Sequence, residues 1–218
     1  MEYDSEEEWR IQQYRNELRN KLNYVISCLT KVSSIGSAIS SDLYTAYDYI
    51  DNLKKYLLGN KYIQLVDIFN FKANSINSDL YTITTYLPSK YENIAKNEAS
   101  DNSIYISSVN YSNFSRITYL PRYKTDDGIV FDENRIRDIQ SDVNTKLTKA
   151  SNKVESLLNI SCSYYDLHGD ISNYANSLSS NINTLKSNMN NKLEETITKF
   201  VAAENFAIQA SKFPKIST

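Results

Sequence analysis

Turn-forming residues are scarce in this chain of 218 residues, which contains only four glycines and three prolines. Average usage would give roughly 15 glycines and roughly 11 prolines in a chain of this length. Because tight turns depend on these residues, the chain is predicted to form few, long elements. β-Sandwiches and doubly wound α/β folds need many such turns and are disfavoured. The composition therefore predicts an all-α fold of about four long helices.

The first predicted helix runs to about residue 58. Asp4 and Ser5 supply a cap, and the three glutamates that follow suit the positive end of a helix dipole. The stretch SSIGSA around Gly36 is expected to bend or split the helix, because Ser and Gly weaken helices locally. Gly59 is expected just past its end. Apolar residues recur at the three- and four-residue intervals of one helix face: Tyr14, Leu18, Leu22, Val25, Leu29, Val32, Ile39, Leu43, Tyr47, Ile50 and Leu57.

A second predicted helix starts at about residue 61 and ends before Pro88, which disfavours continuation. Its β-branched and aromatic residues leave 80–87 open to either helix or strand. The helical periodicity then fails between residues 97 and 131. This stretch is predicted to be an irregular connector that contains a short hairpin or a broken helix.

Asp132 and Glu133 begin a third predicted helix, and Gly169 is predicted to be the turn residue before a fourth, which Pro214 would end. The third helix has one apolar stripe: Ile136, Ile139, Val143, Leu147, Ala150, Val154 and Leu157. The fourth has three sets of residues spaced eleven apart: Ile171, Ile182 and Leu193; Tyr174, Leu185 and Thr196; Leu178, Met189 and Phe200. Such a repeat has 3.67 residues per turn and indicates a nearly straight helix that packs on other helices.

The predicted organisation is a helical hairpin over 1–96, the irregular connector over 97–131, and a second hairpin over 132–213, together forming one elongated unit. Each apolar stripe is narrow and is flanked by Asn, Ser and Lys. Because such stripes bury little area per residue, the isolated chain is expected to be only marginally stable. A small helical partner or self-association would then supply further burial.

Charge and hydropathy argue against several classes of partner. The net charge of −2 and the pI near 5.6 provide no general attraction for nucleic acid or anionic lipid. No stretch approaches the roughly 18 apolar residues of a transmembrane helix, so stable membrane insertion is not expected. The start MEYDSEEEWR is acidic where a signal peptide is basic and then apolar. The protein is therefore expected to be cytoplasmic, or secreted without a classical signal peptide.

Residues that could carry chemistry are few. The four glycines form no phosphate-binding loop, and the single histidine, His168, has no partner at a standard zinc spacing. The one enzymatic arrangement worth naming is Cys162 with His168, a nucleophile and base in the predicted turn. The favoured interpretation is a small apolar cysteine at a helix end and a polar loop histidine. Cys28 and Cys162 are expected to be reduced, and the chain is predicted to be non-enzymatic, without cofactor or metal.

Aromatic residues suggest where a partner would bind. Trp9 is either a contact anchor, because Trp is enriched at interface hot spots, or a staple for the first helical turn. Tyr44 and Tyr47 belong to an aromatic concentration late in the first helix, and such surfaces are common at interfaces. The tyrosines could equally reflect the composition of the chain, which contains 18 of them.

The stretch 112–157 resembles the second half of LXG-type helical domains of type VII secretion substrates, which belong to the WXG-like superfamily. That family has an aliphatic-Leu-Pro run, then an acidic linker, then a long helical hairpin. The matching residues here are Ile117, Leu120, Pro121, Asp126 and Asp127, followed by the helices from 132 onward. The Leu-x-Gly for which the family is named would fall on Leu57, Leu58 and Gly59, which makes Leu57 and Gly59 candidate interface positions.

The resemblance implies an elongated export domain of a Gram-positive bacterium that binds small WXG-like helical partners and carries a carboxy-terminal toxin. Because the chain stops at Thr218, it would be a toxin-less relative, a truncated protein or a partner protein. Phe200 with Glu204 is the candidate export signal, with Phe in place of the usual Tyr. The alternative function is an intracellular structural coiled-coil protein that self-associates. A helical toxin that inserts into membranes is least favoured, because no segment is apolar enough.

Overall fold

The computed structural model describes residues 5–57, 59–121 and 131–212, and these residues form no strand, which confirms the all-α class. The predicted roles of Asp4, Leu58, Asp126, Asp127 and Pro214 fall outside the described residues. The elements are α1 (Ser5–Asn52), a 3-10 turn (Leu53–Lys55), α2 (Gly59–Tyr81), a π-helical turn (Thr82–Tyr86), α3 (Leu87–Asp101), α4 (Glu133–Leu158) and α5 (Leu167–Ser211).

The helices form an antiparallel bundle in which α2, the π-helical turn and α3 act as one rod. Helix α1 packs on α4 and on this rod, and α5 packs on α4 and on the other side of the rod. Four hydrogen-bonded pairs fix the directions: Tyr24 with Ser161 and Asp42 with Lys153 for α1 and the α4 region, and Lys72 with Asn181 and Tyr91 with Asp170 for the rod and α5.

The predicted apolar stripes meet in one core within a single chain. The largest fully buried side chains are Tyr62, Phe69, Leu22, Leu29, Ile39, Leu43, Ile50, Leu53, Leu65, Ile76, Leu80 and Ile83. On α5 the residues of the eleven-residue repeat are buried from Ile171 to Thr196, except that Tyr174 is exposed. The stripes cover one another and form the core within the single chain, while the expected marginal stability stays a prediction.

Gly36 does not split α1, which is continuous over Ser5–Asn52. The reason lies in packing: a Cβ atom at this position would lie 2.5 Å from Cγ2 of Thr84 and 3.2 Å from Cγ2 of Ile83. Gly36 therefore lets α1 approach the π-helical turn closely. Packing against the neighbouring helices keeps α1 helical here despite the local weakness of the serine- and glycine-containing stretch.

Pro88 does not end the second helix, which was predicted to stop there. The chain stays helical from Gly59 to Asp101, with the wider π-helical turn directly before the proline. Within that turn, the N–H of Leu87 donates to the carbonyl oxygen of Thr82. A proline has no N–H and crowds the carbonyl four residues earlier, and a local change of helical register relieves both problems.

The connector is neither a hairpin nor a broken helix. Residues 97–101 still belong to α3, and residues 104–121 then run extended along the groove between α1 and the rod. Backbone N–H groups of this extended segment donate hydrogen bonds to side chains of α1 at 2.9 to 3.2 Å: Ser107 to Asn23, Asn110 to Thr30, Ser112 to Ser33 and Ser115 to Ser40. The serine-rich part of α1 thus supports the connector.

Two glycines predicted at turns lie inside helices. Gly59 is the first residue of α2, and Gly169 lies in the first turn of α5. The turn between α4 and α5 instead uses Tyr165, whose φ of 57° is in the left-handed region. A bulky residue rarely adopts this conformation, so tertiary contacts rather than intrinsic preference hold it there. The predicted start of the third helix is confirmed, since the Asp132 side chain accepts from the N–H of Arg135 at 3.1 Å.

Candidate functional site

The first ten described residues of α1 project beyond the bundle, and we call residues 5–14 the amino-terminal projection. Every residue in it is exposed, and burial on α1 begins only at Leu18. Its large apolar side chains are uncovered: Trp9 is 64% exposed, Ile11 45% and Tyr14 56%. An isolated helix end gains little from such side chains, so they form a candidate contact surface.

The projection has two distinct apolar faces. Ile11, Tyr14 and the buried Leu18 follow one another at intervals of three and four residues, so they continue the core-facing stripe of α1. With 3.6 residues per turn, Trp9 lies about 160° around the helix from Ile11. A partner that extends the bundle would therefore contact Ile11 and Tyr14 first, and Trp9 would require a second contact.

A cleft of about 360 Å³ separates the projection from the end of α3. Its α3 side includes Ser103, whose φ of 57° turns the chain sharply after the helix. The lining combines an apolar floor with charges of both signs, which suits a peptide or helix end more than a small apolar ligand. The lining residues are Glu7, Arg10, Ile11, Tyr14, Arg15, Asp101, Asn102 and Ser103.

Two adjacent tyrosines, Tyr164 and Tyr165, lie near the end of α3, at the same end of the bundle as this cleft. Tyr164 donates to Glu98 at 2.8 Å, and Tyr165 donates to the other oxygen of that carboxylate. Burial, followed by the Glu98 contact, raises the pKa of Tyr164 to about 12 and also raises that of Tyr165. Both phenols therefore stay protonated donors. Sequence reasoning missed this cluster, although neighbouring aromatics in a predicted turn were a signal for it.

Tyr44 and Tyr47 lie elsewhere on the surface. Their rings stack with centroids 5.7 Å apart, and Tyr47 also packs on Phe69 at 5.6 Å. Tyr44 is exposed whereas Tyr47 is half-buried. The 35 residues of continuous helix between Trp9 and Tyr44 separate them by about 50 Å. The structure therefore does not bring the predicted aromatic residues into one patch.

The predicted interface positions Leu57 and Gly59 are buried where α1 passes into α2. Leu57 lies two residues after the 3-10 turn, and its N–H donates to the carbonyl oxygen of Leu53 at 3.1 Å. Leu57 also lines an apolar pocket of about 200 Å³ together with Phe131 and Phe200. Both residues therefore contribute to packing near the ends of two antiparallel helices.

Phe200 and Glu204 lie at the opposite end of the bundle. Phe200 is half-buried and stacks on Phe131, with ring centroids 3.3 Å apart, while Glu204 is exposed one turn later. From there α5 continues as a second projection, residues 202–212, which we call the carboxy-terminal projection. All of it is exposed, including Phe206 at 76%. The candidate export signal thus spans the junction of the bundle and this projection.

Cys162 and His168 do not form a nucleophile–base pair among the described residues. The Nδ1 atom of His168 lies 3.1 Å from the carbonyl oxygen of Ile160, and its Nε2 atom lies 3.4 Å from Oγ of Ser172. The Cys162 thiol instead neighbours Cys28, which raises its pKa. A surface depression of about 330 Å³ at this turn touches both Cys162 and His168. It contains no oriented acid–base arrangement that would activate a substrate.

Over the described parts of the chain, no three metal-ligating side chains come together, and no helix combines the length and apolarity needed to cross a membrane. Comparisons with family models, with curated proteins and with solved structures found no match to this chain.

Proposed function

We propose that this chain is a non-enzymatic helical adaptor domain that binds small helical proteins through its amino-terminal projection. The observation that carries this proposal is the exposed continuation of the core stripe by Ile11 and Tyr14 beyond the end of the bundle. A partner helix placed there would extend the existing helix packing and cover both side chains. The cleft beside the projection offers charged groups that could orient such a helix.

We further propose that the partners are WXG-like proteins and that the domain is exported by a type VII secretion system. Support comes from the resemblance to LXG-type domains in the stretch 112–157. It also comes from the order of elements: a helical hairpin, a connector containing Leu120 and Pro121, and a second long hairpin. Glu204 is accessible to a secretion receptor, as an export signal requires.

Binding is tested by co-expression with WXG-like proteins encoded by neighbouring genes, followed by co-purification and calorimetry. We expect the double variant Ile11→Asp with Tyr14→Asp to lose binding by at least tenfold, because it places two charges in the interface. Phe71→Asp is the matched control, since Phe71 is 79% exposed on α2, outside the projection. Unchanged binding by a correctly folded double variant would contradict the proposal.

Export is tested separately by looking for the protein in the culture supernatant of a Gram-positive host with an intact or a deleted secretion ATPase. We expect Glu204→Gln to abolish export while Glu155→Gln, at an exposed position of α4, leaves it unchanged. Strictly cytosolic protein with the ATPase intact would exclude the export function. It would leave the binding experiment valid.

Self-association is the second candidate function, and one observation favours it. The two projections lie at opposite ends of the antiparallel bundle, so exposed apolar side chains are available at both ends: Trp9, Ile11, Tyr14, Phe206 and Ile208. Such a head-to-tail contact would build open chains rather than closed dimers. Light scattering over a range of protein concentrations distinguishes the two functions, because an adaptor remains monomeric until its partner is added.

A further inference from the structure

Cys28 and Cys162 lie in neighbouring segments of the fold although 133 residues separate them in the sequence. Cys28 lies on α1, and Cys162 lies in the turn after α4; both are free thiols and both are buried. Each thiol shifts the pKa of the other, as expected of neighbouring side chains. The Tyr24 phenol, one turn before Cys28, donates to the carbonyl oxygen of Ser161 and holds the turn against α1. This hydrogen bond brings the two buried thiols to the same place between α1 and the turn.

We propose that Cys28 and Cys162 are a dithiol redox site that closes to an intramolecular disulfide when the protein meets a low-molecular-weight disulfide such as oxidised glutathione. The bond would join α1 covalently to the turn between α4 and α5. This site is independent of the proposed adaptor function, because it lies outside both projections.

The two thiols differ in a way that suits sequential exchange. The neighbouring Cys162 side chain lowers the pKa of the Cys28 thiol to about 7 against the opposing effect of burial. The contact with Cys28, and then burial, raise the pKa of Cys162. Cys28 is therefore the thiol that ionises more readily and attacks first, whereas Cys162 keeps its proton until the second step.

In the first step the Cys28 thiolate attacks one sulfur of oxidised glutathione, which breaks the glutathione S–S bond and releases one glutathione thiolate. In the second step Cys162 transfers its proton to that thiolate, and its sulfur attacks Sγ of Cys28. The second glutathione leaves as a thiolate and takes a proton from solvent. Overall, two protein thiols are oxidised by two electrons and one glutathione disulfide is reduced to two glutathione molecules.

Solvent lies near the two cysteines, and a disulfide between them should change the melting temperature. The surface depression of about 330 Å³ reaches Cys162, and the exposed Tyr24 lies one helical turn from Cys28, so solvent lies close to the pair. A disulfide here would close a loop of roughly 130 residues, and long loops give the largest loss of entropy in the unfolded chain. We therefore expect the melting temperature to rise by about 10 °C on oxidation.

The experiment equilibrates the full chain in glutathione buffers from reducing to oxidising, blocks the remaining thiols with iodoacetamide, and maps the peptides by mass spectrometry. We expect both cysteines to escape alkylation over the same range of buffers and to appear as one cross-linked peptide pair in a monomeric chain. The melting temperature should rise over that same range and return on reduction.

Cys28→Ser and Cys162→Ser are the matched controls, with the alanine variants replacing either one that fails to give a helical circular dichroism spectrum. Each variant should form at most a mixed disulfide with glutathione and show no rise in melting temperature. Three results in the unmodified chain would each overturn the proposal: glutathione adducts without a cross-link, disulfides only between chains, or both thiols still alkylated in the most oxidising buffer.

Discussion

Asn77 of α2 pairs with the backbone of Ile117 through both groups of its side-chain amide. Its Oδ1 accepts from the N–H of Ile117 at 3.0 Å, and its Nδ2 donates to the carbonyl oxygen of the same residue at 2.6 Å. Asn70 pairs in the same way with Leu120, at 2.8 and 3.1 Å. Asn70 and Asn77 are seven helical residues apart, a rise of about 10.5 Å. Ile117 and Leu120 are three extended residues apart, a span of about 10 Å, so the spacing of the two amides matches that of their partners on the connector.

The buried Asn77 amide is expected to be essential for anchoring the connector. Asn77→Ala would leave the N–H and C=O groups of Ile117 buried without partners, and we expect a loss of about 2–4 kcal/mol in the free energy of unfolding. Urea denaturation measures this loss. Faster hydrogen exchange at the Ile117 amide would show that the loss arises at the connector. As a control, Asn188→Ala removes an exposed asparagine of α5 and should leave stability within about 0.5 kcal/mol of the original chain.

Two helical glycines should respond to alanine in opposite directions. At Gly36 the new methyl group would meet the Thr84 side chain, whose hydroxyl is fixed by donation to the carbonyl oxygen of Leu80 at 2.8 Å. Overpacking should outweigh the gain in helix propensity, so we expect Gly36→Ala to destabilise by about 1–2 kcal/mol.

Gly169→Ala is the matched comparison, because a Cβ atom there would meet nothing within 4 Å. Helix propensity then acts without opposition, and stabilisation of up to about 1 kcal/mol is expected. Thermal unfolding followed by circular dichroism measures both variants. A stabilised Gly36→Ala chain would show that α1 and the π-helical turn are farther apart than described.

Asp79 should make stability depend on pH. Burial raises its pKa above the ordinary value of 3.8, while hydrogen bonds from Ser177 and Asn181 oppose the shift. Because the folded chain holds this proton more tightly than the unfolded chain, the contribution of Asp79 to stability is fully present below pH 3.8. It is lost as the pH rises through the higher folded value.

Asp79→Asn keeps an oxygen acceptor for Ser177 and removes the buried charge. We expect this variant to be at least as stable as the original chain at pH 7, and the difference should shrink as the pH falls towards 4. Denaturant titrations at a series of pH values provide the measurement. A variant that is much less stable at pH 7 would indicate that the carboxylate is well compensated.

Asp42 and Lys153 link α1 to α4 through an ion pair of 2.5 Å, and the Asp42 side chain is only 12% exposed. We expect Asp42→Ala to lose about 1–3 kcal/mol, because the hydrogen bond involves charged groups and is partly shielded from water. The Arg10–Glu6 pair at 4.0 Å is more than three-quarters exposed, so Arg10→Gln should change stability by less than about 0.5 kcal/mol. At high salt, Asp42→Ala should still lose more free energy of unfolding than Arg10→Gln.

The helices themselves follow from local rules in the sequence. Apolar spacing predicted the buried faces of α1, α4 and α5, and the cap at Asp132 marked the start of α4. Among the candidate site residues, Trp9 was identifiable from its residue type, because Trp is enriched at interface hot spots, and its role there stays a prediction. The exposure of Ile11 and Tyr14 was not, since periodicity does not show where neighbouring helices end.

Amino-acid order by itself determined that the chain is helical and which face of each helix is apolar, because both properties depend on residues within a few turns of one another. Tertiary structure alone decided that Gly36 allows a close helix approach, that Pro88 lies within a continuous rod, and that Cys28 meets Cys162. These outcomes depend on which distant segments pack together. Long-range packing can stabilise a local conformation that the isolated segment would not prefer.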